Sequence, residues 1–199
     1  PIAEQTGLIA PIGLFVLQQA LRFLNEWQSI NQQNYTMAIN LSPRQFRDPE
    51  LVNIIKHTLH KNSINNECLE LEITEGVLMN SQTSIHDALV QIDELGIKLS
   101  MDDFGTGYSN LAAIRRLPLY ELKMDRSLIL GVPMEQEANA IVRTVLAMAR
   151  QLGLHVVAEG VENEQQKEFL LRRGCHALQG YLFSAPQLVE QWLEVIQQD

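Results

Sequence analysis

Residues 101–109 read MDDFGTGYS, so two adjacent aspartates stand directly before a loop with glycine at two of its next four positions. Other apolar runs also close on polar groups: Asn40, Glu72, Lys123 with Asp125, Glu159 and Gln179. Asn40, Glu72, Asp102, Asp103 and Glu159 offer only oxygen donors, which suits hard Mg²⁺ or Mn²⁺ and argues against zinc. Gathering several carboxylates is unfavourable unless a cation or a proton offsets their charge. An aspartate pair with further carboxylates converging on it fits a bridge between two metal ions about 3.5–4 Å apart, an arrangement used for phosphoester hydrolysis. Lys123 would add one positive charge among these negatives, either to orient a nucleophilic water or to stabilise a pentavalent phosphate. Neighbouring side chains in a strand point to opposite faces, so Asp102 and Asp103 share a site only if the strand breaks there. Gly105 and Gly107 permit such a break. Taken singly, each of these residues has a plainer reading as a solvated strand end or a helix cap.

Convergence requires that the runs be strands ending on one rim, and the rest of the chain has that pattern. Short β-branched or apolar runs alternate with segments of helical period, as in βα units around a parallel sheet. Strands are expected at 36–41, 69–74, 98–103, 122–125, 155–160 and 177–183. Between them, Ile85, Leu89, Ile92 and Leu95 make one helical stripe, and Ile141, Val145, Met148 and Leu152 make another. Gly96, Gly153 and Gly174 each stand two residues before a strand, where a left-handed cap would end a helix. Ser42-Pro43 and Asp48-Pro49 offer N-caps followed by proline at the first helical position. A helix near the N-terminus runs through Leu14, Leu17, Leu21 and Leu24. In a βα barrel the C-terminal ends of the strands form a single rim, which brings residues far apart in sequence together.

Composition bounds the rest. A chain of 199 residues that is 46% apolar can bury one sizeable core, and residues 1–199 read as a single domain. The net charge of −9 disfavours nucleic-acid polymers as partners. Cys68 and Cys175 lack CxxC partners, which gives no zinc pattern and suits a reducing compartment. No uninterrupted apolar run approaches the ~20 residues of a membrane span. A cytoplasmic domain is expected, and a longer parent chain could carry a membrane anchor elsewhere.

The segments INLSPRQF, LELEITEG, MDDFGTGYSNL, LPLYELKMDRSLI, VVAEGVE and LQGYLFSAP resemble, in order, the successive motifs of the EAL-domain family of bacterial cyclic di-GMP phosphodiesterases. The resemblance covers essentially the whole chain. It implies an α/β fold, a modified TIM-type (β/α)8 barrel, that cleaves one phosphodiester of cyclic di-GMP to give linear pGpG with two Mg²⁺ or Mn²⁺ ions. By motif, Asn40, Glu72, Asp102, Asp103 and Glu159 resemble the family's metal ligands, Glu159 with a general-base role as well. Lys123 resembles the catalytic lysine, Gln179 the residue that holds active-site water or metal-bound groups, and Glu75 the glutamate that anchors the loop after the aspartate pair. The resemblance also implies a homodimer, with sensory or GGDEF-type domains in a longer parent chain.

Some positions depart from the family pattern. The Glu-Ala-Leu triplet is absent, and PIAEQTGLI at residues 1–9 resembles the segment that follows it. The first two of eight barrel strands are therefore expected upstream, leaving an N-terminally incomplete barrel. Tyr120, Gly76 and Ala185 replace the family's more common aspartate, serine and basic residue, none at a metal position. Two functions remain: an active phosphodiesterase, or a catalytically silent module that binds cyclic di-GMP or a protein partner and signals by conformational change. Every carried-over position holds the active residue type, which favours the enzyme.

Overall fold

A computed structural model describes residues 2–31, 33–79, 83–107 and 114–196. The chain divides into two compact units, Pro1–Leu99 with Gln187–Asp199, and Ser100–Pro186.

In the first unit, helices α1 (Ile2–Thr6) and α2 (Ile9–Asn31) precede strand β1 (Met37–Leu41), helix α3 (Leu51–Lys61) and strand β2 (Leu69–Thr74). Helices α4 (Glu75–Met79) and α5 (Thr83–Glu94) follow. Leu17, Leu21 and Leu24 of α2 are buried, with Ile55 and Leu59 of α3 and Ile85, Leu89 and Ile92 of α5. The α2 and α5 residues lie on the helical stripes the sequence predicts, although Leu14 at the start of the first is exposed and Leu95 at the end of the second is half-buried. Strands β1 and β2 are parallel, in a register that sets Asn40 opposite Glu72. Every residue of β2 from Leu69 to Ile73 is buried, as befits a parallel strand covered on both faces. Both proline-marked starts differ from expectation. Ser42 and Pro43 lead through a turn to a short 3-10 helix at Gln45–Arg47, whose N-cap is Arg44. Asp48 and Pro49 lie in a turn where Asp48 Oδ1 accepts the Glu50 N–H at 2.9 Å, and α3 begins only at Leu51.

Strand β3 (Lys98–Phe104) leads into the second unit, which continues with β4 (Glu121–Met124), α6 (Arg126–Ile129), α7 (Gln136–Leu152), β5 (His155–Ala158), α8 (Glu164–Leu171) and β6 (Ala177–Leu178). A last helix, α9 (Val189–Ile196), belongs to the first unit. Strands β3 with β4, β4 with β5, and β5 with β6 pair in parallel. Gly96, Gly153 and Gly174 adopt φ of +80°, +72° and +81°, the left-handed caps expected from the sequence. The buried face of α7 is Val142, Val145, Leu146 and Ala149, with Ile141 39% exposed, so the predicted stripe is rotated by one position. Both stripes have helical period, and only the packing selects the one with the shorter side chains. Strands β5 and β6 end earlier than expected, at Ala158 and Leu178. Glu159 and Gln179 thus stand just past their strands, where Gly160 turns the chain with φ of +69°.

Candidate metal centre

In the second unit, three carboxylates meet. Asp102, Asp103 and Glu159 each offer an oxygen within 4.8 Å of the others. The chain achieves this at Asp103 itself, which takes a left-handed conformation with φ of 56°. The β3–β4 register shifts between Met101 and Phe104, so β3 bulges at the aspartates and resumes at Phe104 instead of ending. Such a conformation costs about 1–2 kcal/mol for a residue with a Cβ, although aspartate tolerates it better than most. The break therefore lies two residues earlier than Gly105. That glycine serves packing as well, since a Cβ there would fall 2.5 Å from Leu128 Cδ1.

Lys123 supplies the counter-charge from β4. Its ammonium lies 2.7 Å from Glu159 Oε1 and 3.4 Å from Asp102 Oδ1, with 7% of its side chain exposed. Burial, then the Asp102 and Asp125 carboxylates, hold Asp103 above the usual carboxylate range, while Lys123 pulls it the other way. One ammonium thus faces three carboxylates, a local excess of negative charge. Asp102 Oδ1 is buried and, beside its 3.4 Å ion pair with Lys123, makes no hydrogen bond among the described residues. An all-oxygen donor set, a surplus of negative charge and a buried carboxylate oxygen with no hydrogen bond among the described residues fit a hard divalent cation.

The other predicted residues fall as follows. In the first unit, Asn40 Nδ2 donates to Glu72 Oε2 at 2.8 Å, and Glu72 is 7% exposed. Asn40 also lines a cleft of about 690 Å³ with Glu4, Ser42 and Thr74, where Ser42 Oγ donates to Glu4 Oε1 at 2.5 Å. Ser42 Oγ also accepts the Arg44 N–H at 3.2 Å within a turn, so it bonds Glu4 and its own turn in place of capping a helix. Both Glu75 oxygens are buried with no hydrogen-bond partner among the described residues. The loop after the aspartate pair holds two hydroxyls that could serve Glu75: Thr106 gives its own to the Asp103 carbonyl at 3.0 Å, and Ser109 lies outside the described residues. Gln179 has an exposed side chain, and its backbone bonds Ala158 and Val161. Asp125 caps α6, accepting the Ser127 N–H at 2.9 Å. Burial raises its pKa, but the Ser127 and Arg126 hydrogen bonds and the Arg126 charge outweigh burial and leave it below the ordinary value.

Sequence reasoning missed Gln166, which is 3% exposed and hydrogen-bonded through both side-chain atoms. The Asn163-x-x-Gln166 spacing of an N-cap motif was its visible signal.

A family model described as "EAL domain" matches residues 1–186. The chain belongs to the EAL-domain family. Over 193 residues, this EAL domain is 42% identical to the bifunctional diguanylate cyclase/cyclic di-GMP phosphodiesterase MucR of Pseudomonas aeruginosa, covering 97% of this chain and 28% of MucR. It spans about a quarter of the length of the curated relatives it matches. A solved structure of the MucR phosphodiesterase in complex with c-di-GMP superposes with a TM-score of 0.90 at 42% identity, covering 96% of this chain and 78% of that one. The manganese and cyclic di-GMP complex of Klebsiella pneumoniae BlrP1 does so with a TM-score of 0.83 at 28% identity, covering 90% of this chain and 45% of that one. The EAL architecture is a modified TIM-type α/β barrel, and six of its strands lie among the described residues. No helix among the described residues is long and apolar enough to cross a membrane.

Proposed function

We propose that this EAL domain is a metal-dependent phosphodiesterase that hydrolyses cyclic di-GMP to linear pGpG within a longer bacterial signalling protein. The observation that carries the reading is the Asp102–Asp103–Glu159 carboxylate group with Lys123 ion-paired inside it. The c-di-GMP complex of the related MucR phosphodiesterase supports the substrate, and the manganese complex of BlrP1 supports the metal class. Asn40, Glu72, Asp102, Asp103 and Glu159 would hold two Mg²⁺ or Mn²⁺ ions. When bound, such ions polarise a phosphate and lower the pKa of water.

The chain's own residues do the remaining work. Asn40 orients Glu72 by donating to its Oε2. Lys123 restrains Glu159 and Asp102 before ligand arrives and offers positive charge where the phosphate becomes more negative. Glu159, just past its strand, can also accept a proton from the nucleophilic water. Gln179 orients water or metal-bound groups by hydrogen bonding. Glu75 anchors the loop after the aspartate pair. The domain acts in the cytoplasm as a homodimer, coupled to sensory or GGDEF-type domains of the same parent.

Hydrolysis of cyclic di-GMP by the full-length protein, followed by chromatography of pGpG, tests the reading. Activity is expected with Mg²⁺ or Mn²⁺ and lost in excess EDTA, with Asp102→Asn inactive. Full activity in EDTA would overturn the metal assignment. Tight binding of cyclic di-GMP without turnover under any metal would favour the silent module instead.

A further inference from the structure

Lys123 lies in β4 and Glu159 stands just past β5, and the chain beyond each is joined a second time. After Lys123, Asp125 caps α6, which ends at Ile129. After Glu159, the chain passes Gly160 and Val161 to Glu162 and enters α8 behind the Asn163 cap. Gln166, in the first turn of α8, bridges these two segments. Its Oε1 accepts the Glu162 N–H at 2.8 Å, and its Nε2 donates to the Ile129 carbonyl at 3.3 Å. Its own N–H is held by Asn163 Oδ1 at 3.0 Å, which sets the side chain's origin. With the 2.7 Å ion pair between Lys123 and Glu159, these bonds close a ring through β4, α6, Gln166 and the loop after β5.

A second tie crosses the same gap, the Arg126–Glu162 ion pair at 2.5 Å, with side chains 55% and 42% exposed. Exposed pairs are screened by salt and contribute little. Gln166 is 3% exposed, so its bonds meet little competition from water and break at a real cost. Of the two ties, the buried amide controls the spacing.

We propose that Gln166 is a positioning residue: by tying the loop after Glu159 to the helix after Lys123, its side-chain amide fixes the distance between the lysine and the glutamate. The kinetic consequence rests on the phosphodiesterase reading, whereas the structural one does not.

The test is Gln166→Met in the full-length protein, which keeps the volume and removes both side-chain bonds. Amide exchange across residues 159–163 is expected to rise about tenfold or more. Mn²⁺ affinity by calorimetry should fall severalfold, and kcat should fall about tenfold with KM for cyclic di-GMP within about twofold, because misplacement acts on the reacting geometry. Gln165→Met, at the exposed neighbouring glutamine, should change none of these. Val145→Ala, in the buried face of α7, should lower stability while leaving loop exchange and the kcat-to-KM split at wild-type values. If Gln166→Met does not fold, Gln166→Asn, one methylene too short to span both partners, should give the same changes more mildly. A folded variant with unchanged loop exchange and Mn²⁺ affinity would overturn the proposal. If the wild-type protein proved inactive on cyclic di-GMP, the functional reading would fail, while exchange and Mn²⁺ binding would still decide the role of Gln166.

Discussion

Replacing Lys123 with methionine keeps the volume of the side chain and removes the cation that, among the described residues, pairs within the Asp102–Asp103–Glu159 group, and its effects on stability, metal binding and turnover should diverge. The ammonium stands 2.7 Å from Glu159 and 3.4 Å from Asp102, whose side chains are 19% and 14% exposed. At an effective dielectric of about 20, those distances correspond to roughly 6 and 5 kcal/mol of attraction, most of it offset by desolvation of the charges. Breaking a fully buried pair costs about 3–5 kcal/mol, and the residual hydration of these carboxylates reduces the expected loss to about 2 kcal/mol in metal-free protein. A divalent cation, in contrast, no longer competes with an ammonium, so Mn²⁺ should bind Lys123→Met about tenfold more tightly, an effect of ~1.4 kcal/mol. At a hundredfold excess over Kd, binding adds ~2.7 kcal/mol, enough to restore the lost stability. Turnover should still fall ~10²- to 10³-fold, because no electrostatic contact from the lysine remains for the transition state. Urea unfolding in EDTA and in Mn²⁺, Mn²⁺ calorimetry and pGpG formation together give all three quantities. If Mn²⁺ affinity fell in proportion to turnover, Lys123 would be supporting the metal site and not competing with it, and this electrostatic account would be wrong.

Asp125→Ala should lose the cap on α6 and destabilise the protein by about 1 kcal/mol, read from urea unfolding at pH 7. Because the folded-state pKa of Asp125 is lowered, its contribution is present above the unfolded value of 3.8 and disappears as pH falls through the folded value. The gap between wild type and variant should therefore narrow as pH falls through that value, and a gap that did not change with pH would refute the charged-cap assignment. Cys175 is 5% exposed, and burial pushes its thiol up to about 11 from 9.0. It should resist iodoacetamide at pH 8.5 in the native protein and react on denaturation, as peptide mapping would reveal. The raised pKa also means that stability is fully present below pH 9 and declines as pH rises toward 11, a decline that Cys175→Ala should remove.

How legible the fold was depended on the range of the interactions involved. The βα alternation, the α2 and α5 stripes and the three glycine caps are short-range signals, carried by residues that act within one element or one turn. They appear in the structure where the sequence puts them. The α7 face and the start of α3 were less readable, because several faces or turns satisfy the local rules and the choice lies with what packs against them. The same holds for Gln166. Its capping spacing is local, but its buried bond to the Ile129 carbonyl joins positions 37 residues apart.

For the site, residue type and strand-end position pointed to Asp102, Asp103, Glu159 and Lys123, and to the all-oxygen chemistry that suits a hard cation. These depend on covalent identity and on the two-residue period of a strand, both written in the sequence. Tertiary structure alone decided that Asp103 itself, and not the glycines after it, breaks the strand geometry. The β3–β4 pairing shifts register there and resumes at Phe104, so the left-handed conformation is held by the neighbouring strand. It also decided that Lys123 pairs with Glu159 and Asp102 while Asp125 turns away to cap α6. Lys123 lies in β4 and Asp125 two residues on, and a continuing strand's period would put them on one face. Once β4 ends at Met124 that period no longer applies, and the hydrogen bonds available to each side chain determine its direction.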